Sequence, residues 1–143
     1  MKSILLATAI LLLNTTGFAQ AQTATDTSAK TGTVYFIRAT GYAGSATAFT
    51  AFVDGNLACK LNNKKFSVHQ VPAGEHVFTV QFAGKKAKEK AEPITINVEE
   101  GKTYYIQMVF QTGFFVNNLY CQEVTENSAK TVLKQCQEDT KCL

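Results

Sequence analysis

The sequence has no tryptophan, two prolines and nine glycines among 143 residues. That scarcity excludes a collagen-like or broadly low-complexity chain. Charged residues are also few, at 17%, and nearly cancel to a formal net charge of +3. A nucleic-acid binder needs a basic stripe able to neutralise several phosphates, so no nucleic-acid partner is expected. No C-x-x-C pair is present, and Cys136 and Cys142 stand too far apart to act as a zinc knuckle. Gly41 to Ser45 is glycine-rich but lacks the spacing and lysine of a phosphate loop. No serine sits in a nucleophile-elbow pattern, so an enzyme is not expected, nor any cofactor. The length excludes a large multidomain enzyme or a repeat array. What is there, 45% hydrophobic and rich in Phe and Tyr, has the size and composition of one globular domain.

The longest apolar run, Ile4 to Leu13, follows Lys2 and ends at Asn14-Thr15-Thr16. At about ten residues it is too short to span a bilayer, which takes about 20. Ala19-Gln20-Ala21 then places small residues at the positions signal peptidase reads, with Gly17-Phe18-Ala19 as an alternative cut. Residues 1–21 therefore read as a secretory signal peptide, and the mature protein is expected to be periplasmic or secreted and not membrane-spanning. No Cys adjoins the cut, so no lipid anchor is expected. Residues 22–32, mostly Thr, Ala, Ser and Gln and without periodicity, read as a flexible lead-in.

From Thr33 the chain turns β-branched and aromatic. Period-two alternation recurs over Phe49–Val53, Leu57–Leu61, His76–Phe82, Ile94–Val98 and Tyr104–Phe110, with a last strand around Leu119 to Val124. Asp54-Gly55 is a strong hairpin signal. Pro72-Ala73-Gly74 reads as a second tight hairpin, in which Phe66 and Val68 face Val80 and Phe78. Near the C-terminus, Ala129, Val132, Leu133 and Cys136 recur at i, i+3, i+4, i+7, the mark of an amphipathic helix over about 127–137 with Asn127 as its N-cap. The expected fold of residues 33–143 is a single antiparallel β-sandwich of seven to eight strands with one C-terminal helix.

Val34-Tyr35-Phe36-Ile37-Arg38, Val53-Asp54-Gly55, Pro72-Ala73-Gly74-Glu75-His76 and Gly101-Lys102-Thr103-Tyr104-Tyr105 occur in that order. Together they resemble the bacterial envelope proteins grouped as domain of unknown function family 2846, over roughly Thr33 to Val124. The resemblance implies a small β-sandwich and assigns no catalytic residues. Many relatives look like lipoproteins, from which this chain departs by lacking the lipid-attachment Cys.

The residues leave a short list of candidates for contact or cross-linking. In the expected hairpin register His69 and His76 point to opposite faces, so a shared metal site is not expected. Lys85, Lys86 and Lys88 make a basic loop that is either solvated or a contact for an acidic surface. Phe114 and Phe115, beside Gly113, are either an exposed binding edge or a core-filling strand end. Four Cys in an exported chain suggest two disulfides. From Cys121 the last strand advances about 16 Å to Glu126, and the helix returns roughly 13–14 Å to Cys136. That brings Cys136 level with Cys121 and leaves Cys142 for Cys59, so Cys121–Cys136 and Cys59–Cys142 are the expected pairs. The rival arrangement joins Cys136 to Cys142 and Cys59 to Cys121. The leading function is an exported, non-enzymatic envelope module acting by surface contacts with an envelope protein. The alternative is a small soluble carrier of an apolar ligand in a Phe-lined pocket.

Overall fold

Alternating apolar side chains are buried here between two facing sheets. A computed structural model describes residues 30–42, 44–82, 85–86, 93–114 and 117–142. The expected signal peptide, most of the lead-in, Lys88 and Phe115 lie outside these residues. One sheet runs β10 (Gln137–Glu138), β4 (Lys65–Pro72), β1 (Thr31–Arg38), β8 (Thr103–Gln111), β9 (Asn118–Val124). The other runs β3 (Asn56–Leu61), β2 (Phe49–Val53), β5 (Gly74–Phe82), β6 (Lys85–Lys86), and β7 (Ile94–Val98) also pairs with β5. Strand β1 begins two residues before the expected boundary, because Thr31 and Gly32 already pair with Pro72 and Val71.

Val34, Phe36, Phe49, Phe78, Leu61 and Ile106 are fully buried between the sheets. Each such side chain is worth roughly 1.5–3 kcal/mol of burial. The Phe rings pack on one another: Phe36 lies 6.0 Å from Phe78 between centroids, and Phe49, Phe82 and Phe110 form a cluster at 5.7–5.9 Å.

The β2–β3 hairpin forms at Asp54-Gly55 as its sequence dictates. Both residues have positive φ, 51° and 76°, which is the two-residue turn whose twist matches the flanking strands. A bulge after Ala51 then interrupts the register. Leu57 pairs with Phe52 instead of continuing the inward row, so it is exposed while Cys59 and Leu61 are buried.

The expected β-sandwich with one helix is what the structure shows, mostly antiparallel, with β1 and β8 and also β10 and β4 as parallel neighbours. Two finer expectations are corrected. Pro72-Ala73-Gly74 makes no hairpin, because β4 pairs with β1 in one sheet and β5 with β2 and β7 in the other. The turn carries the chain from one layer to the other, and the register supposed across it does not exist. On β4 the inward row is Ser67, His69 and Val71; Phe66 lies on the outer face, stacked 6.1 Å from Tyr35.

The helix is also shorter than expected and starts earlier. Helix α1 spans Glu126–Leu133, and its N-cap is Thr125, whose side chain accepts from the Ser128 amide, not Asn127. It packs over the outer face, where its Glu126 and Lys130 act electrostatically on Tyr105 and where Ala129 and Ile37 are buried.

After Cys136 the chain turns back as a strap. Gln137 and Asp139 amides donate to the Lys64 and Phe66 carbonyls beside β4, and the Lys60 amide on β3 donates to the Cys142 carbonyl. The strap thereby bridges the edge strands of both sheets. Cys142, expected on a mobile tail, is pinned and buried.

Candidate functional site

Beneath the strap, three elements bring sulfur and imidazole together. Cys59 on β3 points inward from one sheet, Ser67 and His69 point inward from β4 of the other, and Cys142 closes from the strap. The Ser67 hydroxyl lies 3.0 Å from Cys59 Sγ and 2.9 Å from His69 Nε2, which is itself 3.9 Å from Cys142 Sγ. Cys59 Sγ, His69 Nε2 and Cys142 Sγ all fall within 4.8 Å of one another. The Phe36 ring packs edge-on against the imidazole at 5.4 Å. Burial pushes the Cys59 thiol well above the usual thiol range, with the Cys142 contact adding to the shift. Burial lowers His69 and favours its neutral form. A neutral imidazole beside two thiols is a donor set for a soft cation.

Sequence spacing hid this cluster, since its members come from three separate segments. The signal that could have found it was polar Ser67 and His69 two apart on a strand, which puts both on one face.

The expected disulfides fare unequally. All four cysteines are free thiols. Cys136 does end level with Cys121: its Sγ is 3.8 Å from the Arg38 carbonyl, Arg38 pairs with Met108, and Met108 pairs with Cys121. But β1 and β9 are separated by β8, about 9.5 Å in all. Cys121 also faces the inter-sheet core, whereas the helix leading to Cys136 lies over the outer face. That separation exceeds the reach of a disulfide, about 7 Å between Cα atoms. Cys59 and Cys142 are neighbours without a bond between them.

The two histidines are kept apart, as expected, although by layer and not by strand face. His76 lies 2.6 Å from Asp54 Oδ2 through Nδ1 and 2.9 Å from the Pro72 carbonyl through Nε2. It staples two turns and is committed to that task.

Of the expected contact residues, Phe114, Lys85 and Lys86 are described, and they lie toward the other end of the sandwich. Because β1 and β8 run parallel, the loops that follow them, 39–48 and 112–117, leave from the same end. Gly44 in the first packs against the Phe110 ring at the root of the second. Tyr42 and Phe114, on those loops, are fully exposed. The Lys85–Lys86 strand pairs with Phe82 and Gln81 at this same end, since Phe82 is opposite Phe49. Sequence reasoning missed Tyr42, and also Arg38, which holds the end together. The Arg38 guanidinium is buried, lies 3.6 Å over the Phe49 ring, and donates to the Leu61 and Gly44 carbonyls. Burial lowers its pKa to about 10, which leaves it charged at neutral pH.

At the opposite end, an open hollow of about 380 Å³ is lined by Tyr104, Glu123, Thr125 and Glu126 among others. It contains no Phe.

No curated protein and no solved structure matches the chain. A family model does match, over residues 28–120, and its description is protein of unknown function DUF2846. The matched span takes in β1 through β8 and the start of β9, well over half of the sequence, so the chain belongs to that family.

Proposed function

We propose that this protein is an exported, non-enzymatic β-sandwich module of the bacterial cell envelope, acting through contacts made by its loop end with an envelope protein. The observation that carries the reading is that Tyr42 and Phe114, both fully exposed, follow β1 and β8 at the same end of the sandwich, where the Lys85–Lys86 strand also lies. Large aromatics cost free energy in water, and two of them at one end of the fold suit a partner surface. Arg38 ties the first of these loops to β3 through the Gly44 and Leu61 carbonyls, which preorganises that part of the surface and reduces the entropy lost on binding. Export rests on the basic start, apolar run and small-residue exit of residues 1–21. No described helix is long and apolar enough to cross a membrane. The carrier reading has less support, because the interior Phe rings pack on one another, Phe36 on Phe78 and the partly buried Phe82 on Phe110.

The test is a photoreactive residue placed in the exported chain at Tyr42 or Phe114. Leu57, an exposed apolar residue near the turn at the far end, is the control position. Adducts with an envelope protein from the first two positions and none from Leu57 are expected. Equal labelling at all three, or none at the loop end, overturns the reading.

A further inference from the structure

We propose that Cys59, His69 and Cys142 form a binding site for one soft d10 cation, Zn(II) or Cu(I), assembled where the strap crosses the open edge of the sandwich. The site is independent of the loop end and stands or falls separately from it. Three observations support it.

The first is chemistry. Two thiols and an imidazole are the donors that select zinc and cuprous copper, and the set contains no carboxylate to favour magnesium or calcium.

The second is distance. Metal–sulfur bonds of about 2.3 Å and metal–nitrogen bonds of about 2.0–2.1 Å put ligand atoms roughly 3.5–4 Å apart. His69 Nε2 and Cys142 Sγ already stand at 3.9 Å, and the whole set lies within 4.8 Å. Closing on a cation takes a contraction of about 1 Å at most, within reach of side-chain rotation.

The third is placement. A disulfide between Cys59 and Cys142 needs no histidine, yet the His69 ring is turned inward with Nε2 toward the thiols and braced by Phe36. Ser67, itself buried, is hydrogen-bonded to both Cys59 and His69 and so lies beside the set. On metal entry its hydroxyl rotates aside or supplies an oxygen as the fourth ligand. Binding replaces the two thiol protons with the cation and releases both to solvent.

The experiment uses the whole mature chain, purified and reduced. Zn(II) and Cu(I) are titrated separately against chelators of known affinity, and Co(II) serves as a spectroscopic probe. One cation per chain and a sulfur-to-cobalt charge-transfer band are expected. Cys59→Ser, Cys142→Ser and His69→Gln should each weaken binding at least ~10-fold, while Cys121→Ser and Cys136→Ser leave it unchanged. Because a core variant can fail to fold, the same question is put to the unmodified protein by alkylation. The cation should slow labelling of Cys59 and Cys142 and leave Cys121 and Cys136 as they were. Failure of the reduced protein to bind either metal overturns the proposal. So does uptake that the Cys59 and His69 variants retain, or a chain that holds a Cys59–Cys142 disulfide and takes up no metal once reduced. The relative affinities for Zn(II) and Cu(I) decide between the two cations.

Discussion

Asp54 does three jobs with one short side chain. It adopts positive φ in the β2–β3 turn, its Oδ1 accepts from the Val77 amide at 2.8 Å, and its Oδ2 meets His76 at 2.6 Å. The Val77 hydrogen bond first, then the contact with His76, holds the carboxyl below its ordinary range. A carboxylate depressed in the folded state stabilises above its unfolded pKa, and that stabilisation is lost as pH falls through the lower, folded value. Asp54→Asn keeps a residue that tolerates the turn and removes the charge. It should cost about 1 kcal/mol near neutral pH, the worth of a charge-assisted hydrogen bond reduced for exposure. The deficit should shrink as pH falls through the folded pKa of Asp54. Urea unfolding of both proteins at pH 7 and in strong acid checks it; a deficit independent of pH would place the effect in the turn instead. The Asp54-Gly55 turn was legible because the signal is local. The tie to His76 was not, because the histidine arrives from the other side of two turns. Arg38 was legible in principle: it has the same parity as Val34 and Phe36, which places it inward, although a terminal arginine on a strand usually turns to water.

At the level of elements, the strands could be read and their neighbours could not. Period-two alternation located nearly every strand, since each buries one face. Which sheet a strand joins is set by packing across the whole molecule, and Pro72-Ala73-Gly74 signals a reversal without saying whether the next strand pairs or crosses. The same gap inverted the reading of β4. Phe66 and Val68 outweigh Ser67 and His69 in hydropathy, yet the polar pair faces inward because Cys59 and Cys142 offer it partners, and Phe66 stacks with Tyr35 on the outer face. The helix supplies a clean test of cap assignment. Thr125→Ala should lower stability by about 0.5–1 kcal/mol, while Asn127→Ala, already inside the helix, should change it by less than about half that. Thermal or urea unfolding distinguishes the two, and a larger loss at Asn127 would contradict the observed cap.

For the whole molecule, the proposed export makes a simple demand on the N-terminus. Intact-mass measurement of the protein recovered from the envelope should give a chain starting at Gln20 or Gln22. A species retaining Met1 in the membrane fraction would overturn export and remove the reason to expect an oxidising surrounding. The candidate cation site was the least legible part of the molecule. It depends on two sheets facing and a strap returning, and no pattern within one segment encodes either.

The parallel pairing of β1 and β8 also bears on timing. Strand β1 sits at the centre of its sheet, yet its two neighbours, β4 and β8, lie far along the chain, with every described strand of the opposite sheet between β1 and β8. Such long-range pairings must wait for loop closure, which places folding in the millisecond-to-second range rather than microseconds. A chain threaded N-terminus first through a narrow channel would deliver β1 with neither neighbour present. Its central sheet could close only after Gln111 had followed, so until then the chain stays extended enough to pass.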